Sequence, residues 1–361
     1  MLILFSIIAI LTIIITLYLQ MPIFGATPTG ERLAKIQNSP NYKNGQFQNL
    51  SHTPIINHED GAVAWFFEML FPEKSSNITP KNPIPSIKTD LNNLPKNKNW
   101  FIWFGHSSYL LNLNGKIFLI DPVFTRATPL PFGGNPYQGT DIYQPSDMPK
   151  VDYLIITHDH YDHLDYHTIT AIKNNVGQII MGLGVGAHLE RWGIDDSKII
   201  ELDWYENIQL GKFNITALPT RHFSGRRLKR NQSLWASFMI SSDFGNVYVG
   251  GDGGYDVFYK DIKQKFGDID LAILENGQYN KNWANIHFMP DDLIKAINDL
   301  NPQKIIPVHN SKFTLAYHAW NEPLIKLSTY AKQHHLPLYT PKIGEVFYLD
   351  EEMTFDEWWI Q

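Results

Sequence analysis

The sequence predicts an α/β protein in which two β-sheets are sandwiched between helices, carried behind an apolar N-terminal helix. Three observations lead there. Residues 99–124, "NWFIWFGHSSYLLNLNGKIFLIDPVF", hold apolar runs broken by Asn114-Gly115, a hairpin-turn signal. From residue 151 onward, strand-like and helix-like stretches alternate. The second half repeats that texture, as expected where each half supplies one sheet and its covering helices.

Residues 1–19, "MLILFSIIAILTIIITLYL", carry no charged side chain. As a helix they would run about 28 Å, close to the hydrocarbon thickness of a bilayer. No Lys or Arg precedes the run, and Phe24 in "PIFGAT" spoils the cleavage pattern of a signal peptide. The reading is an uncleaved single-pass transmembrane anchor over residues 1–20. Arg32, Lys35 and Lys43 on its C-terminal flank favour the cytoplasmic side for the main domain. Residues 21–98 read as a linker and lead-in rich in Pro, Asn and Gly. Within it, "EDGAVAWFFEML" (59–70) has the apolar stripe of a short amphipathic helix, expected to pack on the main domain.

The main domain spans 99–361. Strands are predicted at 151–157, 177–182, 198–203, 207–219, 233–251, 269–274, 303–308 and 337–349. Helices are predicted at 166–175, 186–193, 255–265, 290–299 and 321–334.

Composition narrows the chemistry. The chain has 361 residues, 43% of them hydrophobic, enough for a large core. A formal net charge of −6 argues against a protein built to coat nucleic acid. There is no cysteine, so disulfides, thiolate catalysis and thiolate metal sites are excluded. Any metal must be held by histidine and carboxylate.

The densest chemical signal is "THDHYDHLD" (157–165), directly after the apolar run "VDYLII". Desolvating so many titratable groups at the end of a buried strand is costly unless something binds them. His158 and His160, two apart in an extended loop, can share one ion; Asp162 and His163, past the turn, can address a second. Neutral imidazole and carboxylate suit zinc, with iron, manganese and cobalt as alternatives. Asp159 is expected to point away, and Asp165 to cap the following helix. Three other apolar runs end in one coordinating side chain each: "FNITALPTRH" at His222, "NVYVGGD" at Asp252 and "KIIPVH" at His309. Together with the cluster they make a metal centre at the strand ends. The glycines at 182, 184 and 186 lack the spacing of a dinucleotide loop, and nicotinamide binding is set aside.

This set of residues resembles the metallo-β-lactamase superfamily, whose fold is an αββα sandwich with a dinuclear site on one edge. The resemblance implies that His158, His160 and His222 hold the first metal, that Asp162, His163 and His309 hold the second, and that Asp252 bridges them. The stretches "PTRHFSGRR", "SLWASF", "GGDGGY", "IHFMPDDLIKAI" and "VHNSKFTLAYHAWNEP" are further similar to the N-acylphosphatidylethanolamine-hydrolysing phospholipase D family and its bacterial relatives. One departure is visible. Where the animal enzymes carry Gln-His, this chain has Ile286-His287.

The resemblance implies a zinc-dependent phosphodiesterase with two Zn2+ ions, acting on a phospholipid or other phosphate ester presented by a membrane. Asp252 would orient the nucleophile, and His287 would donate to a phosphate oxygen or protonate the leaving group. Arg226 and Arg227 could clamp an anionic head group, while Asp121 and His106 would fix imidazole orientation. The apolar stretch 123–137 could receive acyl chains. Alternatives are hydrolysis of a soluble substrate such as a sugar-phosphate lactone, or a non-catalytic binding module of the same fold.

Overall fold

The computed structural model describes residues 1–57, 67 and 71–360. Apart from Phe67, the helix expected at 59–70 therefore falls outside the described residues.

Two sheets form the body. The first contains Trp100–Trp103 (β3), Tyr109–Leu113 (β4), Lys116–Ile120 (β5), Val151–Ile156 (β6), Val176–Gly182 (β7), Ile199–Leu202 (β8) and Val346–Tyr348 (β15), in the order β15-β3-β4-β5-β6-β7-β8. The second contains Asn207–Leu210 (β9), Phe213–Leu218 (β10), Ser237–Ser242 (β11), Gly245–Val249 (β12), Leu271–Glu275 (β13) and Ile305–Val308 (β14), in the order β14-β13-β12-β11-β10-β9. A small hairpin, Tyr42–Lys43 (β1) with Gln46–Phe47 (β2), stands apart from both. Antiparallel hairpins open the first sheet and parallel strands with helical crossovers complete it. The β4–β5 turn is the predicted Asn114-Gly115, both at positive φ.

Strand alternation explains the layers. Phe118, Ile120, Ile155 and Ile180 of the first sheet meet Ile215, Phe238, Ile240, Val249 and Ile273 of the second in one buried cluster. The opposite faces point outward. Leu119, Leu154, Ile156 and Ile179 pack on Ile169, Ile172 and Leu189 from the helices Tyr166–Ile172 and Gly186–Arg191. Met239, Tyr248, Ala272 and Leu274 pack on Tyr259, Ile262, Leu293 and Ile297 from the helices Phe258–Phe266 and Pro290–Leu300. The result is the expected αββα sandwich. Complete burial of each such side chain stabilises the fold by about 1.5–3 kcal/mol.

The N-terminal segment corrects the sequence reading. Leu2–Leu19 is helical over 18 residues, about 27 Å. Its last turn is also engaged with the domain: Tyr18 donates to the Pro129 carbonyl at 2.7 Å, and Arg227 donates to the Leu19 carbonyl at 3.0 Å. Among the described residues no helix is long and apolar enough to cross a membrane, so the single-pass anchor and the sidedness argued from it are withdrawn. The lead-in that follows lies on the domain. Arg32 pairs with Glu190, Asp196 and Glu201, and Trp192 donates to the Pro22 carbonyl.

The boundaries at 207–219 and 233–251 differ in kind. Each predicted run is interrupted by a turn, at Gly211 and around Phe244, and becomes a pair of antiparallel strands. Of the predicted 337–349 run only β15 is a strand, since Leu338 makes a single bridge to Ile305.

Candidate metal centre

Every predicted donor sits just beyond the end of a strand, on one edge of the sandwich. The loop after β6 carries His158, His160, Asp162 and His163; His222 lies beyond β10, Asp252 beyond β12 and His309 directly after β14. The backbone there is bent to aim the side chains. Asp121, His106 and His309 hold φ of 40°, 52° and 66°, a region non-glycine residues seldom occupy. Two backbone bonds then lash the sheets together at this edge, His309 N–H to the His106 carbonyl (2.9 Å) and His106 N–H to the Asn310 carbonyl (3.0 Å). After Asp252 the chain needs glycine, because a Cβ on Gly253 would meet Thr220 Oγ1 at 2.0 Å.

Four overlapping donor groups result among the described residues, two of them joined through Asp252 (His158, His163 and Asp252; His222, Asp252 and His287). His158, His160 and His222 bring ligand atoms within 4.8 Å of one another, as do His106, Asp162, His163 and His309. Asp252 lies between them, 3.9 Å from Nε2 of both His158 and His222, 3.1 Å from His163 Nε2 and 3.0 Å from His309 Nδ1.

The proton inventory fits a cation. His158 Nε2, His160 Nδ1 and His222 Nε2 face one another at 2.9 and 3.2 Å. His222 donates its Nδ1 proton to the Ile286 carbonyl (2.8 Å), which leaves a lone pair on Nε2. His163 donates from Nδ1 to Asp121 (2.7 Å), and its inward Nε2 makes no hydrogen bond despite lying near Asp252. His309 Nε2 and Asp252 Oδ1 are likewise buried without a hydrogen-bond partner among the described residues. Orphaned buried acceptors of this kind are costly unless an ion binds them.

Electrostatics agree with that reading. Burial holds the His158, His222 and His309 imidazoles well below their usual range, so they are neutral donors. Burial opposes charge on Asp162 and Asp252 too, yet the surrounding histidines, His163 first, hold both carboxyls far below the usual range. Burial opposes charge on His163 as well, but Asp252, Asp162 and Asp121 raise it well above its usual range. The two carboxylates and the neutral His158, His222 and His309 make a nitrogen- and oxygen-rich cage of the composition zinc and iron take.

Other predicted residues fall into different places. Asp121 accepts from His163 Nδ1. His106 instead holds a carboxylate, its Nε2 2.9 Å from Asp162, and it joins the second donor group itself. His287 lines the pocket above the donors, its Nδ1 2.9 Å from Glu275. Burial works against charge on this imidazole, but Glu275 raises it to about 9, while burial lifts the Glu275 carboxyl to about 7. Asp159 points away from the cage toward His188, Ser233 and the Gly225 N–H, and Asp165 accepts from His167 N–H as a helix cap.

Arg226 and Arg227 require correction. Arg226 is 4% exposed; its guanidinium donates to the carbonyls of Ile23, Asp159 and Leu164 and stacks 4.2 Å from the Tyr161 ring centre. Arg227 donates to Leu19. Neither lines the pocket over the donors. Their charge is spent on main-chain carbonyls that tie the lead-in to the metal loop, so neither is placed to clamp a head group. The stretch 123–137 also lies aside. Its residues 125, 126 and 128–131 line a separate, mainly apolar cavity of about 450 Å³ with Tyr18, Ile23 and Tyr161.

Sequence reasoning missed four residues. Glu275 ends the apolar run "LAILE" as His309 ends its own, and that pattern could have revealed it. Arg230 gives no signal beyond its charge run. Asn49, which clasps His222 through both main-chain groups, and His188 are visible only in three dimensions.

A family model described as "Beta-lactamase superfamily domain" matches residues 116–310, more than half of the chain and every donor named above except His106. The chain belongs to the metallo-β-lactamase superfamily. Within that superfamily it is 34% identical over 331 residues to an uncharacterised protein of Mycobacterium tuberculosis, covering 90% of this chain and 88% of that protein. It is 30% identical over 269 residues to the mitochondrial N-acyl-phosphatidylethanolamine-hydrolyzing phospholipase D of Saccharomyces cerevisiae, covering 67% of this chain and 54% of the yeast protein. Among solved structures it matches CmlA, a diiron beta-hydroxylase from Streptomyces venezuelae, with a TM-score of 0.54 at 18% identity over 70% of this chain and 54% of that one. That likeness concerns the fold. The fold implies a dinuclear metal site, and the chain is a metal-dependent hydrolase of this fold.

Proposed function

We propose that the protein is a phosphodiesterase of the phospholipase D type, acting on N-acylphosphatidylethanolamine-like lipids with two zinc ions in the cage. The observation that carries this reading is the pocket over the donors, about 320 Å³ in volume. Its floor is His160, Asp162, Asp252 and His309, and its walls are Ile55, Ile56, Phe223, Trp283, Ile286 and Leu315. An ionic floor beneath apolar walls suits a substrate that is a phosphate ester at one end and hydrocarbon beyond it. The likeness to the yeast phospholipase D supports the same substrate class.

Bound in the cage, two cations supply Lewis acidity and a water of lowered pKa. The chain's own residues supply the rest. His158, His160 and His222 would hold one ion, Asp162, His163 and His309 the other, with Asp252 between them. His287, held protonated by Glu275, points its remaining N–H into the pocket, where it can bind a phosphoryl oxygen or protonate the leaving alkoxide. Apolar Ile286, where a glutamine would stand in the animal enzymes, contributes wall and the carbonyl that orients His222.

A paired assay tests the reading. Purified, metal-replete protein should release N-acylethanolamine from N-acylphosphatidylethanolamine in detergent micelles and leave a sugar-phosphate lactone intact. Turnover of the lactone without turnover of the lipid would overturn the phospholipase assignment.

A further inference from the structure

Three arginines, Arg226, Arg227 and Arg230, follow His222 closely, and they have different fates. The first two are bonded to carbonyls of the lead-in and the metal loop. Arg230 is exposed, and among the described residues no carboxylate pairs with it. Of the described residues that line the pocket over the donor cage, it is the one Lys or Arg.

Its position is defined by stacking. The guanidinium carbon lies 5.3 Å from the centre of the Phe223 ring. That ring in turn packs 4.4 Å from the His160 ring and 5.0 Å from the His222 ring. One aromatic ring thus separates the cation from two of the cage imidazoles. A guanidinium on an aromatic face keeps its edge N–H groups free and is partly preorganised. Arg230 also borders a second cavity of about 450 Å³, whose lining includes Gln46, Gln48, His52, Thr53 and Asn231. The two cavities share Ile55, Phe223 and Arg230. One is apolar above its ionic floor and the other is polar.

We infer that Arg230 is a specificity-determining residue, binding the phosphoryl oxygens of the substrate at the rim where the apolar metal pocket meets the polar cavity. This rests on the phosphodiester reading above. A planar fork with no carboxylate partner fits a phosphoryl group in two places at once, which lysine cannot reproduce. Because Arg230 is exposed and its neighbours bond to one another, replacing it should leave the fold intact.

The test is calorimetric binding of dodecyl phosphate to the metal-loaded protein, alongside dodecanol, which has the same chain without the anion. Arg230→Gln should weaken dodecyl phosphate binding about tenfold and leave dodecanol binding unchanged, and Arg230→Lys should fall between. With bis(4-nitrophenyl) phosphate as substrate, Arg230→Gln should raise KM by a similar factor and change kcat less than about twofold. Equal binding of dodecyl phosphate by wild type and Arg230→Gln would overturn the inference. So would equal weakening toward dodecanol, which marks lost packing. Arg230-dependent phosphate binding in a protein that does not hydrolyse the N-acylated lipid would uphold the anion site and remove only the lipid reading.

Discussion

Asp121 and His163 are joined by a 2.7 Å contact between carboxylate and Nδ1 at the end of adjacent parallel strands. The same carboxylate accepts from the Thr157 N–H (2.8 Å) and hydroxyl (2.6 Å), so it cannot swing away. This assigns the His163 proton to Nδ1 and turns Nε2 toward Asp252. Asp121→Asn would replace one acceptor oxygen with a donor. Metal competition titration should show affinity at the His163 site reduced on the order of 10–100-fold.

Asp162 is the residue that separates a two-metal cage from a one-metal cage. It is the carboxylate of the second donor group and is held by His106 at 2.9 Å. Asp162→Asn should lower the metal content of purified protein from about two ions to about one, read by elemental analysis. Retention of both ions would show that Asp252 and the histidines suffice.

His287 tests the division between metal binding and chemistry. It touches His222 and His309 through ring contacts of 5.1 and 5.3 Å, but Glu275 takes its Nδ1. His287→Ala should reduce kcat about 100-fold while metal content stays at the wild-type level. Loss of metal in that variant would move His287 from proton donor to ligand.

Arg226 should behave as a structural tie. Arg226→Met strips the donors from the carbonyls of Ile23, Asp159 and Leu164. Denaturant unfolding should show destabilisation of about 3 kcal/mol, with KM for a phosphodiester little changed in the folded protein. A raised KM at unchanged stability would restore the head-group clamp.

Lys312 gives the fold a pH signature away from the cage. Its Nζ donates to the carbonyls of Phe104 (2.9 Å) and Val123 (2.8 Å). Burial pushes its ammonium down to about 7 from the usual 10.5, with Asp165 and Asp141 pulling weakly the other way. Between those two values the unfolded chain holds a proton that the folded chain does not. Stability from this group is therefore complete above pH 10.5 and lost as pH falls through 7, with a slope of at most about 1.4 kcal/mol per pH unit. Lys312→Met should flatten that rise when unfolding is measured at several pH values between those limits. An unchanged slope would show that Lys312 stays charged inside.

Much of this protein was determined by local sequence. The αββα layering follows from strand alternation and helix periodicity, which are local properties. The string from His158 to His163, and the solitary donors at His222, Asp252 and His309, are legible because an apolar run ending in a titratable group is costly without a ligand. Asp165 as a cap and Asp159 as an outward residue follow from position in the loop.

Tertiary structure decided what depended on partners far away in the chain. The apolar segment at the N-terminus has bilayer-like composition, yet its helix stops at Leu19 and its last turn bonds to Pro129 and Arg227. Charge alone could not separate Arg226 and Arg227 from Arg230; the carbonyls of Leu19, Ile23, Asp159 and Leu164 did so by occupying the first two. Glu275 beside His287 and Asn49 beside His222 are pairings between separate segments, and no periodicity reports them. Metal chemistry is written at strand ends because each donor carries its own desolvation cost, whereas substrate-facing charge is written in which cations the rest of the fold leaves free.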